Sequence, residues 1–75
     1  MTPEIQMNPV NSSNINALGY DEGSKTLRVA FNNGSEYDYS GVPEDIFATL
    51  SRAESVGRAF YALVRSGGFK YERRC

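Results

Sequence analysis

Two short alternating stretches flank Asn32-Asn33-Gly34, and this arrangement constrains the fold more than any other feature of the chain. From Lys25 to Phe31, Leu27, Val29 and Phe31 share one face, while Arg28 and Ala30 share the other. From Ser35 to Ser40, Tyr37 and Tyr39 oppose Glu36, Asp38 and Ser40. Period-two alternation on both sides of a turn-forming segment predicts a β-hairpin. The loop length then decides which face each side chain takes. An Asn33-Gly34 loop pairs Ala30 with Tyr37 and Arg28 with Tyr39. Both tyrosines would then join Arg28 as an exposed stacking platform. An Asn32-Asn33-Gly34 loop pairs Val29 with Tyr37 and Leu27 with Tyr39, as a type I turn with Gly34 in the left-handed position. A slip of one residue reverses every side chain, and only the longer loop gathers the apolar groups of both strands on one face. The longer loop is therefore expected, with the tyrosine rings capping the core and their hydroxyls at its rim.

The remaining elements are read around this hairpin. Residues 1–11 hold Pro3, Pro9 and several Asn without periodicity, and read as a flexible arm. Ser12 to Asp21 reads as a first strand, with a bulge near Ala17. Pro43 is expected at the first helical position, followed by Glu44 and Asp45 in the turn where the helix dipole favours negative charge. Ile46, Phe47 and Leu50 form the apolar stripe of this helix. Ser51-Arg52-Ala53-Glu54 matches a capping box that opens a second helix. In it, Ala53, Val56, Gly57, Phe60, Leu63 and Val64 fall on one side, and Gly67-Gly68 stops it. Phe69 to Glu72 is a candidate last short strand. The expected fold class is α+β: a three-stranded antiparallel meander packed against a C-terminal helical hairpin, with that fourth strand as an option. Residues 12–75 make one domain.

Composition removes several function classes. A chain of 75 residues has a thin core. Cys75 is the single cysteine and histidine is absent, so neither a zinc site nor a Ser–His–Asp or Cys–His centre is expected. With no internal disulfide open to it, the chain suits a reducing compartment. The start, Met1 to Gln6, has no basic region or apolar run, and no stretch reaches the roughly 20 apolar residues of a membrane span. A cytoplasmic location, no membrane contact and no cofactor are expected. The net charge of −1 argues against generic nucleic-acid binding. Its distribution is uneven: residues 1–51 carry −5 and residues 52–75 carry +4, which points to an anionic ligand on the C-terminal half. One helical layer on a small sheet leaves edges and a second face open, so a homo-oligomer is expected to cover them.

Three constellations are candidates for binding. Arg58, Tyr61 and Arg65 fall within one narrow arc of the second helix, opposite its apolar stripe. Guanidinium groups meet phosphate through paired hydrogen bonds, and a tyrosine face stacks on a base. Ser51 and Ser55, with Gly57, lie at a helix opening of the kind that attracts phosphate. Tyr37 and Tyr39 cap the core on the favoured register, or stack with Arg28 on the other. Glu36 and Asp38 share a solvent face without a pocket to shift their titration, so acid–base chemistry is not expected.

The order and spacing of several motifs resemble the KTSC domain, a module found at the C-terminus of some lysyl-tRNA synthetases and as a stand-alone bacterial or phage protein. The residues that carry the resemblance are Ser13, Ile15, Gly19-Tyr20-Asp21, Leu27 to Phe31, Gly34, Tyr37-Asp38-Tyr39 and Gly41-Val42-Pro43, then Ala53, Ser55, Gly57, Phe69 and Tyr71. It covers roughly residues 12–73. It implies no catalytic residue, and RNA binding is the activity the synthetase context suggests.

The leading expectation is a non-catalytic binder of a small nucleotide-type ligand, through Arg58, Tyr61, Arg65 and Ser55, with Tyr37, Tyr39 and Arg28 as the alternative platform. For a phage-borne chain, sequestering a cyclic-nucleotide immune signal is a use such a site suits. An RNA-binding module and a protein-interaction module working through a sheet edge are the alternatives.

Overall fold

The computed structural model describes residues 5–74. The elements run β1 (Met7–Pro9), β2 (Ile15–Asp21), β3 (Thr26–Phe31), β4 (Glu36–Ser40), α1 (Glu44–Arg52), α2 (Val56–Phe60), a π-helical turn (Tyr61–Arg65) and β5 (Lys70–Arg73). Val29 lies opposite Tyr37 and Leu27 opposite Tyr39, the register of the longer loop. Gly34 has φ 93°, a conformation that costs a glycine little. The bulge in β2 falls between Ile15 and Ala17, so Leu18 and Tyr20 meet Val29 and Leu27 on the same face.

The sheet is wider than the sequence suggested. Five antiparallel strands stand in the order β1-β2-β3-β4-β5, not three with an optional fourth. The segment read as a flexible arm supplies β1, with Met7 opposite Gly19 and Pro9 opposite Ala17. Residues 1–4 and Cys75 lie outside the described residues. No alternation marks β1, because it is short and its packing depends on a missing side chain across from it. A Cβ on Gly19 would stand 2.6 Å from both Ile5 Cγ2 and Met7 Sδ, so only glycine lets the segment lie this close. The last strand is Lys70–Arg73, one residue later than expected, and it pairs with β4.

The helices also start differently. Pro43 caps α1 from outside in an extended conformation, ψ 151°, and the helix begins at Glu44. Ser51 opens nothing. It remains inside α1, where its hydroxyl donates to the Phe47 carbonyl at 3.0 Å. The chain leaves the helix at Ala53, and Ser55 is the cap of α2, accepting from the Arg58 N–H at 3.4 Å. The capping-box spacing failed because the stripe of Ile46, Phe47 and Leu50 keeps α1 helical through Arg52.

One apolar cluster joins sheet and helices. Ile15, Leu18, Leu27 and Val29 from the strands meet Leu50, Val56, Phe60 and Val64, and all are buried. Tyr39 belongs to this core, at 5% exposure, so the exposed-platform alternative does not hold for it. Tyr20 stacks on Phe47 and donates its hydroxyl to the Val42 carbonyl at 2.5 Å, tying β2 to the entry of α1.

The opposite face of the sheet has its own anchor. Arg28 is 6% exposed there, and its Nε and Nη2 donate to the two Asp38 oxygens at 2.8 and 3.1 Å. Asp38 also receives Arg74 Nε at 3.5 Å, while Arg74 Nη1 reaches Glu36 Oε1 at 3.2 Å. The acids expected on an open solvent face are thus partly covered and engaged. The hydrogen bond it donates to Asp38 raises the Arg28 guanidinium above its ordinary range, so it stays charged despite burial.

Removing one member of a buried pair leaves the other charge uncompensated, at a cost of about 3 kcal/mol. Asp38→Ala should therefore lower the urea midpoint far more than Arg28→Met, because Met fills apolar space and Asp38 keeps Arg74. Equal shifts would contradict this. A second expectation concerns alkaline pH. Burial raises the phenols of Tyr20 and Tyr39 above the ordinary tyrosine value, about 10. The folded state then holds these protons more tightly than the unfolded chain. Their contribution is complete below about pH 10 and is lost as pH rises through the folded values. Unfolding free energy measured from pH 8 to 11 should fall at the top of that range, less steeply in Tyr39→Phe.

Candidate functional site

The site forms where the start of α2 meets two loops. Gly57 is what brings them together: a Cβ there would stand 3.3 Å from Ser12 Oγ and 3.9 Å from Asn14 Nδ2. The loop before β2 is held in place by Asn32. Its side-chain amide donates to the Ser12 and Ser13 carbonyls at 3.2 and 2.9 Å, and its backbone N–H to the Asn14 carbonyl at 2.8 Å. Ser12 Oγ accepts from the Asn14 and Ile15 N–H groups, each at 3.3 Å. One wall of the site is therefore a braced, polar loop.

The other wall is helical. After Phe60 the backbone widens into the π turn, and the Ser66 N–H reaches the Tyr61 carbonyl, five residues back, at 3.1 Å. Such turns recur at functional positions because they re-aim side chains within a helix. Here the turn starts at Tyr61, whose ring is 63% exposed. The Arg65 guanidinium carbon lies 5.7 Å from the ring centroid, within reach of cation–π attraction.

Three depressions open around these two side chains. The first, about 400 Å³, lies between Asn14, Phe31 and Asn33 on one side and Phe60, Tyr61 and Arg65 on the other. The second, about 530 Å³, runs over Ser13, Ser55, Arg58 and Tyr61. The third, about 550 Å³, lies past Arg65 and is walled by Tyr37, Phe69 and Tyr71. Each is the size of a small-molecule pocket. Tyr61 lines both of the first two, and Arg65 lines both the first and the third.

The residues singled out in the sequence divide accordingly. On the helical wall Ser55, Arg58 and Tyr61 line the second depression, and Tyr61 and Arg65 line the first. Tyr37 is half-buried and lines the third depression. Tyr39 lines the floor of that depression from within the core. Burial raises its phenol, and the nearby Arg65 charge pulls the other way. Arg28 is not part of the site: it faces away from the helices and is committed to Asp38. Ser13, Asn14, Asn32 and Asn33 were missed. Their density of short polar residues beside turns was visible, but which loops meet depends on a contact at Gly57.

The second depression carries one acid, Glu54, beside Arg58. Arg28 and Arg74 are paired with acids, whereas among the described residues no carboxylate pairs with Arg58 or Arg65. The walls thus present free guanidinium donors, amide groups that both donate and accept, and an exposed ring. Among the described residues no cluster of Cys, Asp and Glu could hold a metal ion, and no helix is long and apolar enough to cross a membrane.

Comparison with known proteins identifies the family. The KTSC domain model matches residues 11–69, which include every residue named on the first two depressions. A protein of Tsukamurella paurometabola is 42% identical over 59 residues, covering 79% of this chain and 88% of that one. A protein of Stutzerimonas stutzeri is 34% identical over 64 residues, covering 85% and 90%. A lysine–tRNA ligase of Nostoc is 38% identical over 59 residues, covering 79% of this chain but 10% of the ligase. Among solved structures, the KTSC domain protein of Yersinia pestis superposes with a TM-score of 0.87 at 34% identity, covering 96% of this chain and 100% of that one. With sequence and backbone matched across nearly its whole length, the chain belongs to the KTSC domain family.

Proposed function

We propose that this protein binds a small nucleotide-type ligand without transforming it. The observation that carries the reading is the exposed Tyr61 ring, flanked by the guanidiniums of Arg58 and Arg65, which no carboxylate among the described residues pairs, and facing a braced wall of Asn and Ser. A base stacks on Tyr61, Asn14 and Asn33 meet its polar edge, and the arginines take its phosphate. A binder of this kind lowers the free concentration of its ligand, which for a cyclic-nucleotide signal would silence it.

The acidic total suits a compact ligand better than a long polyanion. A second reading, single-stranded RNA, draws support from the lysine–tRNA ligases among the relatives. It requires affinity that grows with strand length and falls steeply with salt.

Calorimetric titration with mono- and dinucleotides of the four common bases tests the proposal. At least one should bind, and Tyr61→Ala should weaken it by about tenfold, the loss of one stacked base. Arg65→Lys should weaken it less than Arg65→Ala, since Lys keeps the charge and loses the paired hydrogen bonds. No heat with any of them, or unchanged affinity in Tyr61→Ala, would overturn the reading.

A further inference from the structure

The two exposed large aromatic side chains among the described residues are Tyr61 and Tyr71, at 63% and 65%. They stand in different depressions, one on each side of Arg65. Tyr71 sits on the edge strand β5 opposite Tyr39, and its ring centroid lies 5.5 Å from that of Tyr39 and 5.9 Å from that of Tyr37. Phe31 meets Tyr37 edge-on, with centroids 5.8 Å apart. The result is a wall of rings with one open end, and Asn33 and Ser35 supply polar groups beside it. Phe31, Asn33 and Arg65 line this depression and the Tyr61 depression alike, so the two are neighbours that meet at Arg65.

We infer that the site takes two bases joined through phosphate, that is, a dinucleotide. One base lies in the depression of Tyr61 and Asn14, the other against Tyr37 and Tyr71. The phosphate linkage rests on Arg65, the cation common to both. A mononucleotide fills only one half of this arrangement and leaves the other aromatic wall in water. The inference rests on the proposed nucleotide binding and adds to it a second subsite and a limit on ligand length.

Titration of the full chain with a mononucleotide, the matching dinucleotide and the matching hexanucleotide RNA, each also against Tyr71→Ala, tests it. The dinucleotide should bind about tenfold more tightly than the mononucleotide, the increment of one further stacked base. Tyr71→Ala should remove that advantage, bringing dinucleotide affinity down to the mononucleotide level, with thermal unfolding confirming that the variant folds. Should Tyr71→Ala prove unstable, Tyr71→Leu is the substitute, keeping apolar bulk without a stacking face. Equal affinity for mono- and dinucleotide, or a dinucleotide advantage that survives loss of the Tyr71 ring, would overturn the second subsite while leaving nucleotide binding intact. Affinity that keeps rising to the hexanucleotide would overturn the length limit in favour of an RNA strand. Failure of all three ligands to bind would remove the inference together with the reading beneath it.

Discussion

Val29 faces Tyr37, and Leu27 faces Tyr39, because the turn between β3 and β4 has room for Asn32, Asn33 and Gly34. Much of the molecule follows from that pairing. It places the phenol rings beneath α2 and the π turn, where Phe60 packs edge-on against Phe31 and Tyr39. It sends Arg28 and Asp38 together to the far face, where each neutralises the other. It also leaves Asn32 free to brace the loop before β2, since its side chain is not absorbed into either strand. A shift of one residue would expose the rings, bury acids against the helices and dismantle the polar wall of the site.

The arginines are used in two ways, and the difference separates structure from candidate function. On the far face the guanidinium of Arg28 is enclosed and locked by two hydrogen bonds, which fixes the strands without offering anything to a ligand. A buried pair of this kind contributes mainly by the penalty for breaking it. On the helical side Arg58 and Arg65 remain in solvent beside an aromatic ring. There a guanidinium keeps its donors available while its stem packs on the protein. Each face thus has one electrostatic task.

The hairpin, its register, the β2 bulge and the apolar stripe of the helices were legible because each rests on local periodicity. Helical spacing put Arg58, Tyr61 and Arg65 on one arc; the π turn from Tyr61, which that spacing does not foresee, leaves Arg58 and Arg65 in different depressions with Tyr61 common to both. What the sequence hid were effects of contact. Strand β1 depends on the missing side chain at Gly19, and an absence leaves no pattern along the chain that lies against it. Ser51 has the spacing of a cap, yet the α1 stripe outcompetes it, and capping passes to Ser55. The Asn and Ser wall needs the approach permitted at Gly57, between segments more than 40 residues apart. The assignment of Arg28 to a ligand failed because its partner, Asp38, is reached only across the hairpin.

Backbone amide spectra recorded during titration with a dinucleotide test the central claim most directly, since they show which part of the fold meets the ligand. The account predicts shifts concentrated in residues 12–14, 32–33 and 57–65 and, for the second base, at Tyr37 and Tyr71, with the amides of Gly19 and Arg28 on the far face unmoved. Shifts confined to the far face, or a spectrum unchanged at saturating ligand, would contradict it.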